Sequence, residues 1–309
     1  MEFLSTPQFA ELTENLSGEV LINEPMSLHT SWKIGGAADC FIAPKTVDDI
    51  IAVLKYTREQ GVPLTVVGRG TNLLVSDLGI EGVVMQIGDN FNKILWLGDL
   101  EVRAEAGVLL AALAREAAKK SCAGLEWACG IPGNVGGAVM MNAGAYGSNI
   151  SGYITEVEVV DLADGGEPQL KIFTKDDLDF SYRHSGIAAG QVVVAVNLLL
   201  EPGNREKSEK EMKELLQTRA AKQPLEYPSA GSVFKNPEGD HAGRLVEVSG
   251  CRGMEIGGAQ VSEKHGNFII NKGGATAADV LALIEKVQSV VESKHGVRLE
   301  TEVRKIGRF

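Results

Sequence analysis

Three short stretches of this 309-residue chain carry side chains able to move a proton or hold charge. In YPSAGSVFKNP, residues 227–237, Ser232 sits in a small-residue turn with Lys235 and Asn236 just beyond. The order AGSVF is not the GxSxG nucleophile elbow, and no Ser/His/acid order lies near it, so serine-nucleophile hydrolysis is a weak reading. A serine hydroxyl can instead give its proton to a strongly basic carbanion or enolate developing beside it. In DLDFSYRHSG, Tyr182, Arg183 and His184 are consecutive. The rigid guanidinium fork of Arg183 suits a carboxylate or diphosphate, and Tyr182 could orient a phosphate or close a pocket. A satisfied ion pair at an interface explains the same residues equally well. In GVRLETEVRKIG, Val297, Leu299, Thr301 and Val303 alternate with Arg298, Glu300, Glu302 and Arg304. Surface strand charge is the ordinary explanation. In a water-poor pocket, however, desolvation would keep Glu302 neutral and able to donate a hydrogen bond.

Glycine turns offer places for a ligand that such groups could act upon. VVGRGTNLLV puts Gly68, Gly70, Thr71 and Asn72 directly after a strand, an arrangement that makes an anion nest or simply a tight turn. It is no dinucleotide fingerprint: the GxGxxG spacing and the P-loop Lys-Ser/Thr ending are both absent. In GIPGNVGGAVMMNAGAYG, glycines recur at 130, 133, 136, 137, 144 and 147 among small side chains. A flat or extended cofactor could lie on such exposed peptide groups, and tight packing between sheets is the alternative. HTSWKIGGAAD is a third glycine-rich turn, where Lys33 could reach a phosphate, Trp32 could anchor the chain, and His29 reads best as an ordinary hydrogen-bonding histidine. Together these segments favour a large phosphate-containing cofactor.

The elements that must position these residues read as α/β or α+β, with short apolar runs alternating with helical ones. DCFIAP reads as a strand, and residues 46–61 as a helix capped by Thr46 and ended by Gly61. Strands are expected over VPLTVV, IEGVVMQIG, LEVRAEAG, YITEVEVVDL, QLKIFT and QVVVAVNLLLEPG. The segment after residue 128 is too rich in glycine and alanine for an ordinary helix. Pro202 to Lys210 is the clearest break in composition, followed by a long polar helix. DHAGRLVEVSG reads as a short helix and GNFIIN as a strand. A final amphipathic helix has apolar residues at 280, 283, 284, 287, 290 and 291 on one stripe. A net charge of −11 and a pI near 5.1 disfavour nucleic acid and anionic lipid as partners. Cys40, Cys122, Cys129 and Cys251 match no metal-ligand spacing, so no metal is expected. Widely spaced cysteines, an N-terminus with no signal-like pattern and the lack of a membrane-length apolar run make membrane insertion unexpected and a cytoplasmic site the expectation.

Taken in order, HTSWKIGG, VVGRGTNLLVSD, GIPGNVGGAVMMNAGAYG, FSYRHS, PSAGSVFKNP, GGAQVSEKHGNFIIN and LETEVRKIG resemble the UDP-N-acetylenolpyruvoylglucosamine reductase family, flavoenzymes of bacterial cell-wall synthesis. The resemblance covers residues 25 to 308. It implies an α+β fold: a two-lobed FAD-binding region of the vanillyl-alcohol-oxidase type, lobes 1–88 and 89–202, then a substrate-binding domain at 203–309 whose extreme C-terminus can pack back on the FAD region. FAD would be noncovalent, leaving His29 unmodified. It would be held by Gly35 and Gly36, by the run Val67, Gly68, Arg69, Gly70, Thr71, Asn72 and Leu73, and by Gly130, Pro132, Gly133, Gly136, Gly137, Asn142, Gly144 and Ala145. NADPH would be the reductant and UDP-N-acetylglucosamine enolpyruvate the substrate. Ser232 is matched to the proton donor, and Arg183 and Glu302 to the groups that stabilise the aci-carboxylate. Tyr182, Lys235, Asn236, Gln260 and Lys264 are matched to substrate contacts. The short route from FSYRHS to residue 203 resembles the compact form of the family, without an extra substrate-covering insertion, and a monomer is expected.

Overall fold

A computed structural model describes residues 2–161, 166–188 and 190–309. The chain forms two compact units that interleave along the sequence. The first contains residues 1–22, 40–69 and 82–217, and the second contains 23–39, 70–81 and 218–309. Boundaries at 88 and 202, by contrast, are linear.

In the first unit an antiparallel five-stranded sheet runs in the order Gln169–Thr174, Ile154–Asp161, Val192–Leu199, Glu101–Glu105, Ile94–Trp96. Val192–Leu199 is buried from Val192 to Val196 and at Leu198, as its apolar run, interrupted only by Asn197, leads one to expect. The strand expected over 153–162 is Ile154–Asp161, and Leu162 lies outside the described residues. A second sheet has the order Glu19–Pro25, Ala37–Ala43, Ile80–Gln86, Leu64–Val67, and most of its residues belong to this unit. Its strands Leu64–Val67 and Ile80–Gln86 are parallel. Helix Val47–Glu59 starts at Thr46 with a full capping box. The carboxylate of Asp49 accepts from the N–H groups of Lys45 (2.8 Å), Thr46 (3.2 Å) and Ser17 (3.1 Å) and from the Ser17 hydroxyl (2.7 Å). Residues 129–143 depart from expectation: Val135–Met140 is a short helix despite its glycines. Its N-cap Asn134 accepts from Gly137 N–H, and the N–H groups of Val135 and Gly136 donate to Val108 O and Ala106 O. Tertiary acceptors thus supply what helix propensity lacks.

The second unit has its own apolar core, in which Trp32, Ile34 and Leu74 join Val233, Phe234, Leu245, Ile269, Leu283 and Leu299. Trp32 is fully buried; its indole donates to Ile269 O at 2.8 Å, and its own carbonyl accepts from Asn271 Nδ2 at 3.0 Å. An antiparallel sheet of Glu255–Ile256, Ala259–Val261 and Ile269–Asn271 packs against helix Ala277–His295. That helix has a capping box at Thr276 and ends at Gly296 with φ +68°. Asp77 accepts from the N–H groups of Ala277 (2.8 Å) and Ala278 (3.0 Å), placing a carboxylate where the helix dipole favours it. Strand Arg304–Ile306 runs parallel to Leu73–Val75, and Arg308 Nη2 holds both oxygens of buried Asp39 at 2.9–3.1 Å. The cysteines are free and buried, so Cys122 and Cys129 form no disulfide.

Asp49 gives a test of this framework. Burial acts to raise its pKa, but the backbone N–H of Lys45, the hydroxyl and N–H of Ser17 and the N–H of Thr46 outweigh that effect and hold it below the ordinary value. A depressed native pKa adds stability that is present above the unfolded value of about 3.9 and is lost as pH falls through the lower native value. Asp49→Ala is expected to cost about 2 kcal/mol in urea unfolding at neutral pH, a difference that shrinks in acid. An unchanged unfolding midpoint at neutral pH would refute that role.

Candidate functional site

In the second unit the backbone pairs the segments that carry Ser232 and Glu302. Gly231, in the left-handed region at φ +76°, turns the chain into residues 232–235. Glu302 N–H then donates to Val233 O at 2.7 Å, and Lys235 N–H to Glu300 O at 2.9 Å, about an isolated antiparallel bridge between Phe234 and Thr301. Ser232 and Glu302 are both half-buried. The Ser232 hydroxyl has no hydrogen-bond partner among the described residues. Leu299 and Val303 are buried and Arg298, Glu300 and Arg304 exposed, so Glu302 is the charged residue of this segment that is withdrawn from solvent. Asn72 is tied to it: Nδ2 donates to Glu302 O at 3.2 Å, and Asn72 O accepts from Arg304 N–H at 3.0 Å. A residue of the glycine-rich loop therefore shares a framework with the hydroxyl and the carboxyl.

The other substrate candidates in this unit have more varied settings. Lys235 pairs with Glu300 at 3.3 Å. Asn236 Oδ1 accepts from Ala242 N–H at 3.0 Å and so caps helix Ala242–Val248, whose N-cap His241 makes no side-chain cap bond. Gln260 donates to Glu255 at 2.6 Å. Lys264 donates to Ala220 O at 2.7 Å, a cation at the C-terminal end of helix Arg205–Lys222.

The glycines divide by function. At Gly36 a Cβ would stand 2.2 Å from Asp77 O, and at Gly70 it would stand 2.0 Å from His29 O. Gly36 N–H is engaged by Ser76 O at 2.9 Å, so Gly36 lets the protein approach itself rather than offering an open amide. Gly35, at φ +136°, has its missing Cβ against the Val75 side chain. The N–H groups of Gly70 and Asn72, in contrast, meet no acceptor among the described residues, and Thr71 lies between them. Leu73 begins the strand paired with Arg304–Ile306.

In the first unit Val67 ends its strand and is buried, and Gly68 follows. A Cβ on Gly68 would lie 2.5 Å from Asn134 Oδ1, so two glycine-rich segments distant in sequence meet there. Asn134 also donates to Ile87 O at 2.8 Å. The N–H groups of Gly68 and Arg69 meet no acceptor among the described residues, while the Arg69 side chain pairs with Asp89 at 3.0 Å. Gly133 has φ +128° and its carbonyl accepts from Leu110 N–H; Gly130 and Pro132 lie in the turn before it. Gly136 brings its backbone against Ala106, and Gly137 N–H is engaged by the Asn134 cap. Gly144 and Ala145 pair with Asn149 and Ser148 around a two-residue turn, Tyr146 and Gly147, both at positive φ.

Arg183 is also built into this unit. Ser181 and His184 exchange N–H···O bonds of 3.1 Å each, which leaves Tyr182 and Arg183 as the turn residues. Arg183 sits at φ +60°, at a cost on the order of 1 kcal/mol for a non-glycine residue. Its guanidinium lies 4.9 Å from the Tyr182 ring centroid. Buried Asn142, itself at φ +39°, donates from Nδ2 to Ser181 O at 2.9 Å and accepts from Ser151 N–H at 3.3 Å, so its amide braces this turn.

Open backbone N–H donors, at Gly68 and Arg69 in the first unit and at Gly70 and Asn72 in the second, are groups of the kind that phosphate oxygens accept from. Sequence reasoning missed Asn134 and also Asn267, whose carboxamide bonds to both the N–H and the carbonyl of Phe234. The first could have been found as an N-cap before VGGAVM; the second, an Asn before an apolar strand, carries no local signal. No group of three or more metal-ligating side chains occurs among the described residues. No helix of the described residues is long and apolar enough to cross a membrane.

Both the N-terminal and the C-terminal parts of the chain are similar to known proteins. An FAD binding domain matches residues 38–167, and the C-terminal domain of UDP-N-acetylenolpyruvoylglucosamine reductase matches residues 223–306. The reductase of Heliobacterium modesticaldum is 47% identical over 299 residues, 96% of this chain and 94% of that protein. The reductase of Lachnoclostridium phytofermentans is 47% identical over 302 residues, 96% of each chain. The crystal structure of the Thermus caldophilus reductase superposes with a TM-score of 0.79 at 34% identity, covering 94% of this chain and 99% of that one. With its α+β fold and FAD-binding domain, the chain belongs to the UDP-N-acetylenolpyruvoylglucosamine reductase family, in its compact form.

Proposed function

We propose that this enzyme reduces UDP-N-acetylglucosamine enolpyruvate to UDP-N-acetylmuramate with NADPH, a step of peptidoglycan precursor synthesis. The observation that carries this reading is the backbone pairing of Val233 and Lys235, next to Ser232, with Glu302 and Glu300, and the bond of Asn72 in the glycine loop to the same segment. FAD, when bound, would supply the two-electron chemistry that links oxidation of NADPH to reduction of the enolpyruvyl double bond. The residues that would hold it are Gly35, Gly36, those from Val67 to Leu73 and the segment from Gly130 to Ala145, with the unclaimed N–H groups of Gly68, Arg69, Gly70 and Asn72 as candidate phosphate donors.

Ser232 gives its proton to the carbon next to the substrate carboxylate. Its resting hydroxyl need not be acidic, because the carbanionic acceptor is a strong base. Arg183 grips the substrate carboxylate with two parallel N–H donors. Glu302 acts in its neutral form and donates a hydrogen bond to the same group; as a carboxylate at about 4 Å it would repel the charge developing there. Tyr182 closes over the substrate beside Arg183, and Lys235, Asn236, Gln260 and Lys264 serve the UDP-sugar, Asn236 nearest the diphosphate. Water returns the proton to Ser232. Four free, buried thiols suit a reducing cytoplasm, where nucleotide-linked precursors are made. The functional unit of this reading is a monomer.

The defining experiment follows the visible flavin band of the reconstituted enzyme, which NADPH should bleach and the UDP-enolpyruvyl sugar restore. Ser232→Ala is expected to keep bleaching within about twofold of wild type and to slow substrate-driven recovery by roughly 10²–10⁴-fold. Recovery at the wild-type rate in that variant removes Ser232 as the donor. Arg183→Lys retains charge but not the planar fork, and its kcat/KM for the enolpyruvyl sugar should fall by roughly 10²-fold. Wild-type turnover would discard the clamp role.

A further inference from the structure

Residues 232–235 have a strand partner on one side only. There the backbone of 300–302 accepts and donates as an antiparallel neighbour does. On the other side the place of a strand is taken by one residue, Asn267. Its Oδ1 accepts from Phe234 N–H at 2.9 Å, its Nδ2 donates to Phe234 O at 2.8 Å, and its backbone carbonyl accepts from Val233 N–H at 2.9 Å. A carboxamide presents a donor and an acceptor side by side, so it can satisfy both polar groups of one peptide residue as another peptide would. Asn267 is only 4% exposed, and in such a site no water replaces a lost partner.

Asn267 is itself held firmly. Its N–H donates to His265 Nδ1 at 3.1 Å, and burial keeps that imidazole below its usual pKa range, so Nδ1 remains an acceptor at neutral pH. The His265 ring packs edge-on against Phe268 at 4.8 Å, and Ser262 N–H donates to Phe268 O at 2.8 Å. At Gly266 a Cβ would stand 2.6 Å from Gly243 O, which reserves that turn for glycine. The brace is therefore rigid, and it ends one residue from the Ser232 hydroxyl.

We propose that Asn267 is a positioning residue for proton transfer: without touching substrate, it fixes the Val233–Phe234 backbone and thereby aims the Ser232 hydroxyl at the substrate carbon. This inference rests on Ser232 being the proton donor. Asn267→Asp keeps the shape of the side chain but replaces the amide donor with a second acceptor facing Phe234 O. Asn267→Gln keeps both amide groups one methylene further out.

The test uses purified FAD-loaded enzyme, matched to wild type in flavin content, and rapid mixing of each half-reaction. Asn267→Asp should leave flavin reduction by NADPH within about twofold and slow reoxidation by the enolpyruvyl sugar by about 10- to 100-fold, with a larger solvent deuterium isotope effect on reoxidation. Asn267→Gln should show a loss confined to the same half-reaction, and it serves alone if Asn267→Asp does not fold. Placed in a Ser232→Ala background, Asn267→Asp should slow reoxidation no further than about twofold, since it acts through that hydroxyl. Equal losses in both half-reactions, or the full loss repeated in the Ser232→Ala background, would overturn the proposal in favour of general destabilisation. Normal reoxidation in the Asn267 variants while Ser232→Ala fails would overturn it alone. Normal reoxidation in Ser232→Ala would overturn both this inference and the assignment of the donor.

Discussion

The second unit depends on one short antiparallel pairing. Glu302 N–H to Val233 O and Lys235 N–H to Glu300 O join parts of the chain separated by more than sixty residues of sequence and set the register of Ser232 and Glu302 at once. Side chains in extended pairing alternate with period two, so a slip of one residue would turn both groups to the wrong faces. Buried backbone groups cannot remain unpaired, which holds that register in place. Asn72 makes the glycine loop part of the same ladder. Hydroxyl, carboxyl and loop then form one rigid arrangement, and proton delivery to carbon requires that kind of fixed geometry.

Glycine contributes in two different ways. At Gly36, Gly68 and Gly70 the absent Cβ makes room for the protein's own atoms, Asp77 O, Asn134 Oδ1 and His29 O. What these turns can offer a ligand is the set of N–H groups left unclaimed nearby. The polar residues show the same economy: Asn134 and Asn142 use both ends of their amides to join backbone segments. Arg183 departs from it, because a non-glycine residue in the left-handed region persists only when its surroundings impose that conformation. The Ser181–His184 turn and the Asn142 brace provide the imposition.

Much of the local structure was legible because its causes are local. Thr46 with Asp49 and Thr276 with Asp279 are capping boxes formed within three residues, and both helices begin where those residues place them. The apolar stripe of the last helix is buried at 280, 283, 284, 287 and 291. Of the alternating residues 297–303, Leu299 and Val303 are buried while Val297 and Thr301 are half-buried, and of the charged positions Glu302 alone is withdrawn from solvent. The helix Val135–Met140 was not legible, since its glycines disfavour it and its stabilising acceptors, Val108 O and Ala106 O, come from elsewhere in the chain. Nor were the interleaved units, in which residues 23–39 and 70–81 leave their sequence neighbours to join a distant core.

The sequence by itself determined which chemical groups are available, in what order, and the periodicity and caps of most elements around them; it also carried the ordered motifs of a flavoenzyme family. Only the tertiary structure decided that Val233 beside Ser232, Glu302 and Asn72 share one set of backbone hydrogen bonds, that Asn267 stands in for a missing strand, and that several glycines face the protein rather than open space. The physical reason is range. Propensity, capping and turn chemistry act over a few residues, whereas the partners of a buried peptide group are chosen by the path of the whole chain.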